Sequence, residues 1–249
     1  MPGDAKRILI LGGTGEARAL AARLDGDERF SPITSLAGRT RAPAEVAGEV
    51  RSGGFGGVAG LKDFIGKESI ALLVDATHPF AARISANAAE VCAQTGVPCL
   101  RLERPPWTEQ SGDDWTTVAD IGAAAEAIPK GARALVTVGR QGVAPFFARD
   151  DIHVVARMIE PPEVRVPGHA QVILARAPFT PAQEKALMKD KRITLLVTRN
   201  SGGETTYAKV QAARELGLPV IIVSRPDKPP VPTASGVDDM MALIAERMT

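Results

Sequence analysis

Short aliphatic runs alternate along this chain with longer stretches in which apolar positions return every three or four residues. The first pattern suits buried parallel strands and the second amphipathic helices. Strands are predicted over Ile8–Leu11, Phe30–Leu36, Glu49–Arg51, Ile70–Asp75 and Val97–Leu102. After a short Trp115–Val118 strand, a second series is predicted over Ala134–Val138, Ile152–Ala156, Val172–Ala175, Ile193–Thr198 and Val220–Val223. Helices are predicted to begin after Gly15 and over Leu61–Lys67, Ala81–Thr95, Ile121–Ile128, Pro181–Lys189, Thr206–Leu216 and Val237–Arg247. Strands that alternate with helices imply α/β architecture, with parallel sheets covered by helices on both faces. The polar stretch Thr108–Asp114 reads as a linker, so two similar domains are expected, 1–114 and 115–249, facing a cleft. No sequence repeat accompanies the shared pattern.

The stretch from Arg7 to Arg18 combines a strand, a glycine turn and a helix start. Ile8–Leu11 is followed at once by Gly12, Gly13 and Gly15, and Ala17, Leu20, Ala21 and Leu24 then recur at helical spacing. Without a Cβ in the way, backbone N–H groups at a helix N-terminus can approach a phosphate, and the helix dipole favours the anion. Gly12, Gly13, Thr14, Gly15, Glu16 and Ala17 are therefore candidates for holding a dinucleotide pyrophosphate. Arg18 stands where the fingerprint would place its third glycine, so the motif is incomplete. An ordinary strand-to-helix turn satisfies the same pattern.

Composition narrows the classes. With 249 residues the chain is long enough for one large domain or two small ones. Its mean hydropathy is near zero and its formal charge is only +1. No basic block is present, which argues against nucleic acid, and no apolar run approaches a membrane span. Met1–Lys6 is not a signal peptide. The two cysteines, Cys92 and Cys99, suggest a reducing compartment, and a cytoplasmic protein is expected. They share no ligand spacing with the three histidines, so no metal site is expected.

Ligands of open α/β sheets bind beyond the carboxyl ends of the strands, so the residues there carry the functional information. After the second strand, Gly38, Arg39, Thr40 and Arg41 stand where an acidic residue would hold the ribose of NAD; the arginines suit a 2′-phosphate, or are solvated surface charges. Ser52-Gly-Gly-Phe-Gly-Gly57 either lets backbone pass close to a ligand or forms a mobile loop. Asp75-Ala-Thr-His-Pro-Phe80 puts an acid, a hydroxyl and an imidazole at one strand end. Asp75, Thr77 and His78 can orient a nicotinamide or donate a proton, or the first two simply cap the next helix. In the second series Arg140, Arg199, Ser201, Gly202 and Arg225 lie at or just after strand ends, Lys209 lies on the helix that follows Gly203, and Arg104 follows a strand of the first. Each cation alone reads as a surface charge or structural ion pair; together they suit a polyanionic small molecule. The Tyr-x-x-x-Lys pair of short-chain reductases is excluded, because the only tyrosine is Tyr207 and position 211 is Gln.

These blocks together resemble the precorrin-6A reductase family of cobalamin biosynthesis, which includes the cobalt-precorrin-6A reductases. The match lies in Ile8–Ala17, Asp75–Ala81, Arg101–Trp107, the Gly139-Arg140 turn, Asn200–Gly203 and Pro219–Pro226, in the family's order and over nearly the whole chain. Arg199-Asn200 precedes Ser201 where the family often has Lys-Ser-Gly. The resemblance implies two Rossmann-like domains, the first binding NADPH and the second contributing to the substrate and cofactor cleft. It implies reduction of one macrocycle double bond of precorrin-6A to give precorrin-6B. On this reading Gly12–Ala17 hold the pyrophosphate, Gly38, Arg39 and Thr40 meet the 2′-phosphate, and Thr77 lies near the nicotinamide. His78 or Asp75 is the candidate proton donor, with solvent the alternative source. Arg104, Arg140, Arg199, Ser201, Gly202, Lys209 and Arg225 take the carboxylates of the polycarboxylate tetrapyrrole. An NADPH reductase of a small carbonyl substrate and a non-catalytic nucleotide- or tetrapyrrole-binding protein are the alternatives.

Overall fold

The computed structural model describes residues 5–37 and 45–248. In chain order its elements are β1 (Lys6–Leu11), α1 (Gly15–Asp25), β2 (Phe30–Leu36), β3 (Glu49–Ser52), α2 (Val58–Lys67), β4 (Ile70–Asp75), α3 (Ala82–Thr95), β5 (Cys99–Leu102), β6 (Trp115–Val118) and α4 (Ile121–Glu126). They continue as β7 (Arg133–Thr137), a 3-10 turn (Arg140–Gly142), α5 (Ala144–Phe147), β8 (His153–Met158), β9 (Ala170–Leu174), α6 (Pro181–Asp190), β10 (Leu195–Arg199), α7 (Ala208–Glu215), β11 (Val220–Val223), β12 (Thr233–Ala234) and α8 (Val237–Met248). Among the described residues no helix is long and apolar enough to cross a membrane.

The strands form two six-stranded sheets, ordered β12-β5-β4-β1-β2-β3 and β6-β11-β10-β7-β8-β9. Every strand pairing is parallel. The chain divides into two compact units: residues up to Arg104 with those from Asp227 onward, and Pro105–Pro226. This corrects the expected 114/115 boundary and its assignment of the C-terminal residues. The reason is local. Thr233 and Ala234 pair with Arg101 and Leu102, which makes β12 the sixth strand of the first sheet. Its helix α8 then buries Met240 and Ile244 in the cluster that already holds Ile8, Ile10, Leu20 and Leu72.

Strand β1 shows why the first unit needs helices on both faces. Side chains alternate across a strand, so Ile8 and Ile10 join the cluster with α1 and α8. Leu9 and Leu11 point the other way, into the cluster built with Leu61 and Ile65 of α2 and Ala88 and Val91 of α3. In the second unit, Leu135, Val155, Leu196 and Ile222 pack with Met188 of α6 and Val210 and Ala213 of α7. The helices begin where side chains satisfy their first amides: Thr14 caps α1, Asp120 caps α4, and Thr180 with Gln183 forms a reciprocal capping box on α6. Gly96 ends α3 in the left-handed conformation at φ 73°.

Candidate functional site

In the first sheet the chain moves outward from β1 to β2 and β3 on one side, and from β4 to β5 and β12 on the other. The reversal falls between β1 and β4, where open α/β sheets leave a crevice beyond the strand ends. The glycine turn lies there. Its Gly12 N–H donates to the Ser35 carbonyl of β2 at 2.9 Å, and the Leu11 carbonyl accepts from Ala76 N–H beyond β4 at 3.0 Å. A Cβ on Gly12 would lie 2.8 Å from the Thr34 methyl, so β2 leaves room for glycine alone. Gly13 takes φ +113°, and a Cβ there would meet nothing within 4 Å. Among the described residues, nothing stands over that position.

Thr14 fixes this turn twice over. Its hydroxyl oxygen accepts from Ala17 N–H at 3.1 Å and donates to the Ala76 carbonyl at 2.8 Å. The candidate pyrophosphate residues Gly12–Ala17 and the β4 end are thus joined by a direct bond. Glu16 pairs with Arg104 at 3.0 Å, so this sequence-predicted substrate cation sits at the rim of the turn with a carboxylate beside it.

At the end of β4, Asp75 is 1% exposed. One carboxylate oxygen accepts from the Thr77 hydroxyl at 2.6 Å and from Thr77 N–H at 3.2 Å. The other accepts from Arg101 Nε at 3.2 Å, and Arg101 Nη1 donates to the Pro229 carbonyl at 3.1 Å. Neither Asp75 nor Thr77 caps α3, whose N-cap is Ala81 without a side-chain bond. Asp75 holds the Thr77 turn and anchors the segment leading into β12. His78 is half-buried beside it, with its ring 5.9 Å from that of Phe80. Its Nδ1 accepts from Phe80 N–H at 3.2 Å, which leaves the proton of the neutral ring on Nε2. Gly38, Arg39, Thr40 and Arg41 lie outside the described residues.

The second sheet reverses between β7 and β10. Two sequence-predicted cations lie at that reversal. Arg140 opens the 3-10 turn after β7, and Arg199 ends β10. A Cβ on Gly142 would lie 3.0 Å from Arg199 Nη2, so the guanidinium rests against the turn. Burial pushes the Arg199 pKa down, which marks a partly dehydrated cation. The following loop is held from both sides. Asn200 Oδ1 accepts from Trp107 N–H at 2.7 Å, and its Nδ2 donates to the Trp107 carbonyl at 2.9 Å. Trp107 Nε1 donates to the Gly203 carbonyl at 2.7 Å. Arg225 donates to the carbonyls of Asn200 at 3.0 Å and Ser201 at 3.2 Å. Gly202 has φ +67°, and a Cβ there would fall 2.0 Å from the Pro105 carbonyl oxygen. Lys209 is 5% exposed, donates to the Thr206 carbonyl at 2.7 Å, and lies 4.9 Å from the Trp107 ring centroid. Ser201, Gly202, Lys209 and Arg225 are thus brought into one loop assembly.

Sequence reasoning missed Arg101, Asn200 and the role of Trp107. Their partners are set by strand register and loop return, and residue spacing does not reveal either. It also missed Arg51 at the end of β3, whose Nη1 donates to Ser35 Oγ at 2.8 Å.

The family described as Precorrin-6x reductase CbiJ/CobK matches residues 7–245. The chain is 48% identical over 240 residues to the Precorrin-6A reductase of Rhodococcus erythropolis, covering 96% of each chain. It is 33% identical over 235 residues to the Cobalt-precorrin-6A reductase of Priestia megaterium, covering 88% of this chain and 90% of that one. A solved structure of CobK precorrin-6A reductase superposes with a TM-score of 0.91 at 44% identity, covering 97% of both chains. With residues 7–245 matched in sequence and its backbone matched in space, the chain belongs to the precorrin-6x reductase family.

Proposed function

We propose that this chain reduces one macrocycle double bond of precorrin-6A with NADPH, giving precorrin-6B on the route to cobalamin. The observation that carries the reading is the strapped glycine turn between β1 and β4, where no described residue comes within 4 Å of a Cβ at Gly13. The first unit fits a dinucleotide, because its strand order, its turn and the start of α1 are those of a pyrophosphate-binding half. The residues from Gly12 to Ala17 would hold the pyrophosphate, and Gly38, Arg39 and Thr40 would meet the 2′-phosphate. Bound there, NADPH supplies the hydride. Thr77, fixed by Asp75, orients the nicotinamide end. His78 delivers a proton from Nε2 to the neighbouring carbon as an imidazolium and regains it from solvent; Asp75 positions the turn that carries His78. Arg140 and Arg199 take substrate carboxylates as cations, while Arg225 and Lys209 shape the loop that presents Ser201 and Gly202. A substrate carboxylate at Arg104 shares that cation with Glu16.

The higher identity to a precorrin-6A reductase than to a cobalt-precorrin-6A reductase favours the cobalt-free substrate. The test combines purified protein, precorrin-6A and NADPH, and follows the visible spectrum together with NADPH absorbance. The expected result is NADPH loss in step with the macrocycle change. A spectrum that stays constant while NADPH is retained would leave only a binding protein, and NADPH loss without macrocycle change would point to another substrate.

A further inference from the structure

We propose that Arg51 is a specificity-determining residue for the 2′-phosphate of the bound dinucleotide, and the proposal rests on the NADPH reading above. In a dinucleotide fold the end of β2 lies beside the adenosine ribose. The β2–β3 register places Ser35 directly opposite Arg51, so both stand at that edge. Ser35 serves both features: its carbonyl accepts from Gly12 N–H of the phosphate turn, and its hydroxyl accepts from Arg51. The guanidinium is therefore one residue removed from the pyrophosphate turn.

The guanidinium is also held ready. Its carbon lies 3.9 Å from the Phe55 ring centroid and 5.0 Å from that of Phe64. Beyond Ser35, Nη1 donates to the Gly53 carbonyl at 3.1 Å and Nη2 to the Gly54 carbonyl at 3.3 Å. The Gly54 contact is at the surface, whereas the other two are partly buried. These acceptors are a hydroxyl and two carbonyls. Among the described residues no carboxylate pairs with Arg51, whereas Arg7, Arg104, Arg149, Arg157 and Arg214 all have one. An oriented, partly dehydrated cation without a counter-charge is suited to a phosphate dianion. The arrangement also accounts for the glycine-rich loop. Gly53 at φ +110° turns chain back over the guanidinium, and Gly56 and Gly57 continue at φ +79° and +99°. From Ala37 to Ala44 the sequence has no acidic residue to select the unphosphorylated ribose instead.

Isothermal titration of the intact protein with NADP⁺ and NAD⁺ tests this, using Arg51→Gln and Arg51→Lys. The expected result is an NADP⁺ affinity lowered about 10- to 100-fold in Arg51→Gln, with NAD⁺ affinity within about twofold of the parent. Arg51→Lys keeps the charge and loses the fork, so it should show a smaller loss with the same selectivity. Equal losses for both nucleotides would make Arg51 a loop fastener and overturn the proposal, as would no loss for either. Should Arg51→Gln fail to fold, Arg51→Lys decides by the same comparison. If the parent protein binds neither nucleotide, the NADPH reading falls and takes this proposal with it. If the parent binds NADP⁺ and the variants are unselective, only the role of Arg51 falls.

Discussion

At the scale of single residues, Asp75 and His78 are close in sequence yet face different surroundings. Both oxygens of Asp75 are engaged, and its Arg101 partner is 7% exposed. Asp75→Ala leaves that guanidinium buried without its counter-charge, and stability in urea should fall by about 3 kcal/mol. His78→Ala should unfold at nearly the parent urea concentration, lower kcat by about 100-fold, and leave the KM for NADPH almost unchanged. An Asp75→Ala protein of parental stability with lost turnover would reverse these roles. The sequence made the Asp-x-Thr-His cluster visible because the four residues are contiguous. The Arg101 partner was hidden, because it depends on the β4–β5 register that sets Asp75 opposite Arg101. The need for glycine at 202 was hidden likewise, since the obstructing carbonyl belongs to Pro105.

At the scale of elements, the long strands and helices follow from periodicity, but the smallest pieces do not. Thr233–Ala234 is too short to show alternation, and Ala144–Phe147 is barely one turn; both exist because their neighbours supply partners. Capping was legible where a side chain performs it. Thr14→Ala removes the α1 cap and the bond to the Ala76 carbonyl together, so thermal or urea unfolding should show a loss of about 1–2 kcal/mol. Nucleotide affinity should drop as well. A second clasp responds to pH. Arg149 donates to Asp151 at 2.6 Å and to the carbonyls of Ala125 and Ile128 beyond the middle of α4. The hydrogen bond from Arg149 holds the Asp151 carboxyl below its ordinary range. A depressed folded-state pKa adds stability above the unfolded value and loses it as pH falls through the folded one. The stability gap between parent and Arg149→Met should therefore narrow below about pH 4. A gap that stays constant down to pH 2 on the same melts would show that the carbonyl contacts alone carry the clasp.

At the scale of the whole molecule, the α/β class and the two parallel sheets were legible, because strand–helix alternation runs through the entire chain. The ownership of the last residues was not. A break in composition at Thr108–Asp114 says where regular pattern stops, and says nothing about which sheet a later two-residue strand will join. The core does say it: Met240 and Ile244 are fully buried among first-unit side chains. Met240→Ala should cost about 2–4 kcal/mol through the cavity it leaves. Hydrogen exchange read by mass spectrometry should then show β1 and α1 losing protection while β7 and β10 keep theirs. Parallel loss in both units would mean that they unfold together.

The detour of the chain through Pro105–Pro226 before it returns at Asp227 sets an order of events during synthesis. The ribosome has released every residue of the inserted unit while the earlier sheet still lacks its edge strand and the helix that covers it. The first sheet must therefore wait, with part of one apolar face uncovered, until the residues from Asp227 onward have been made.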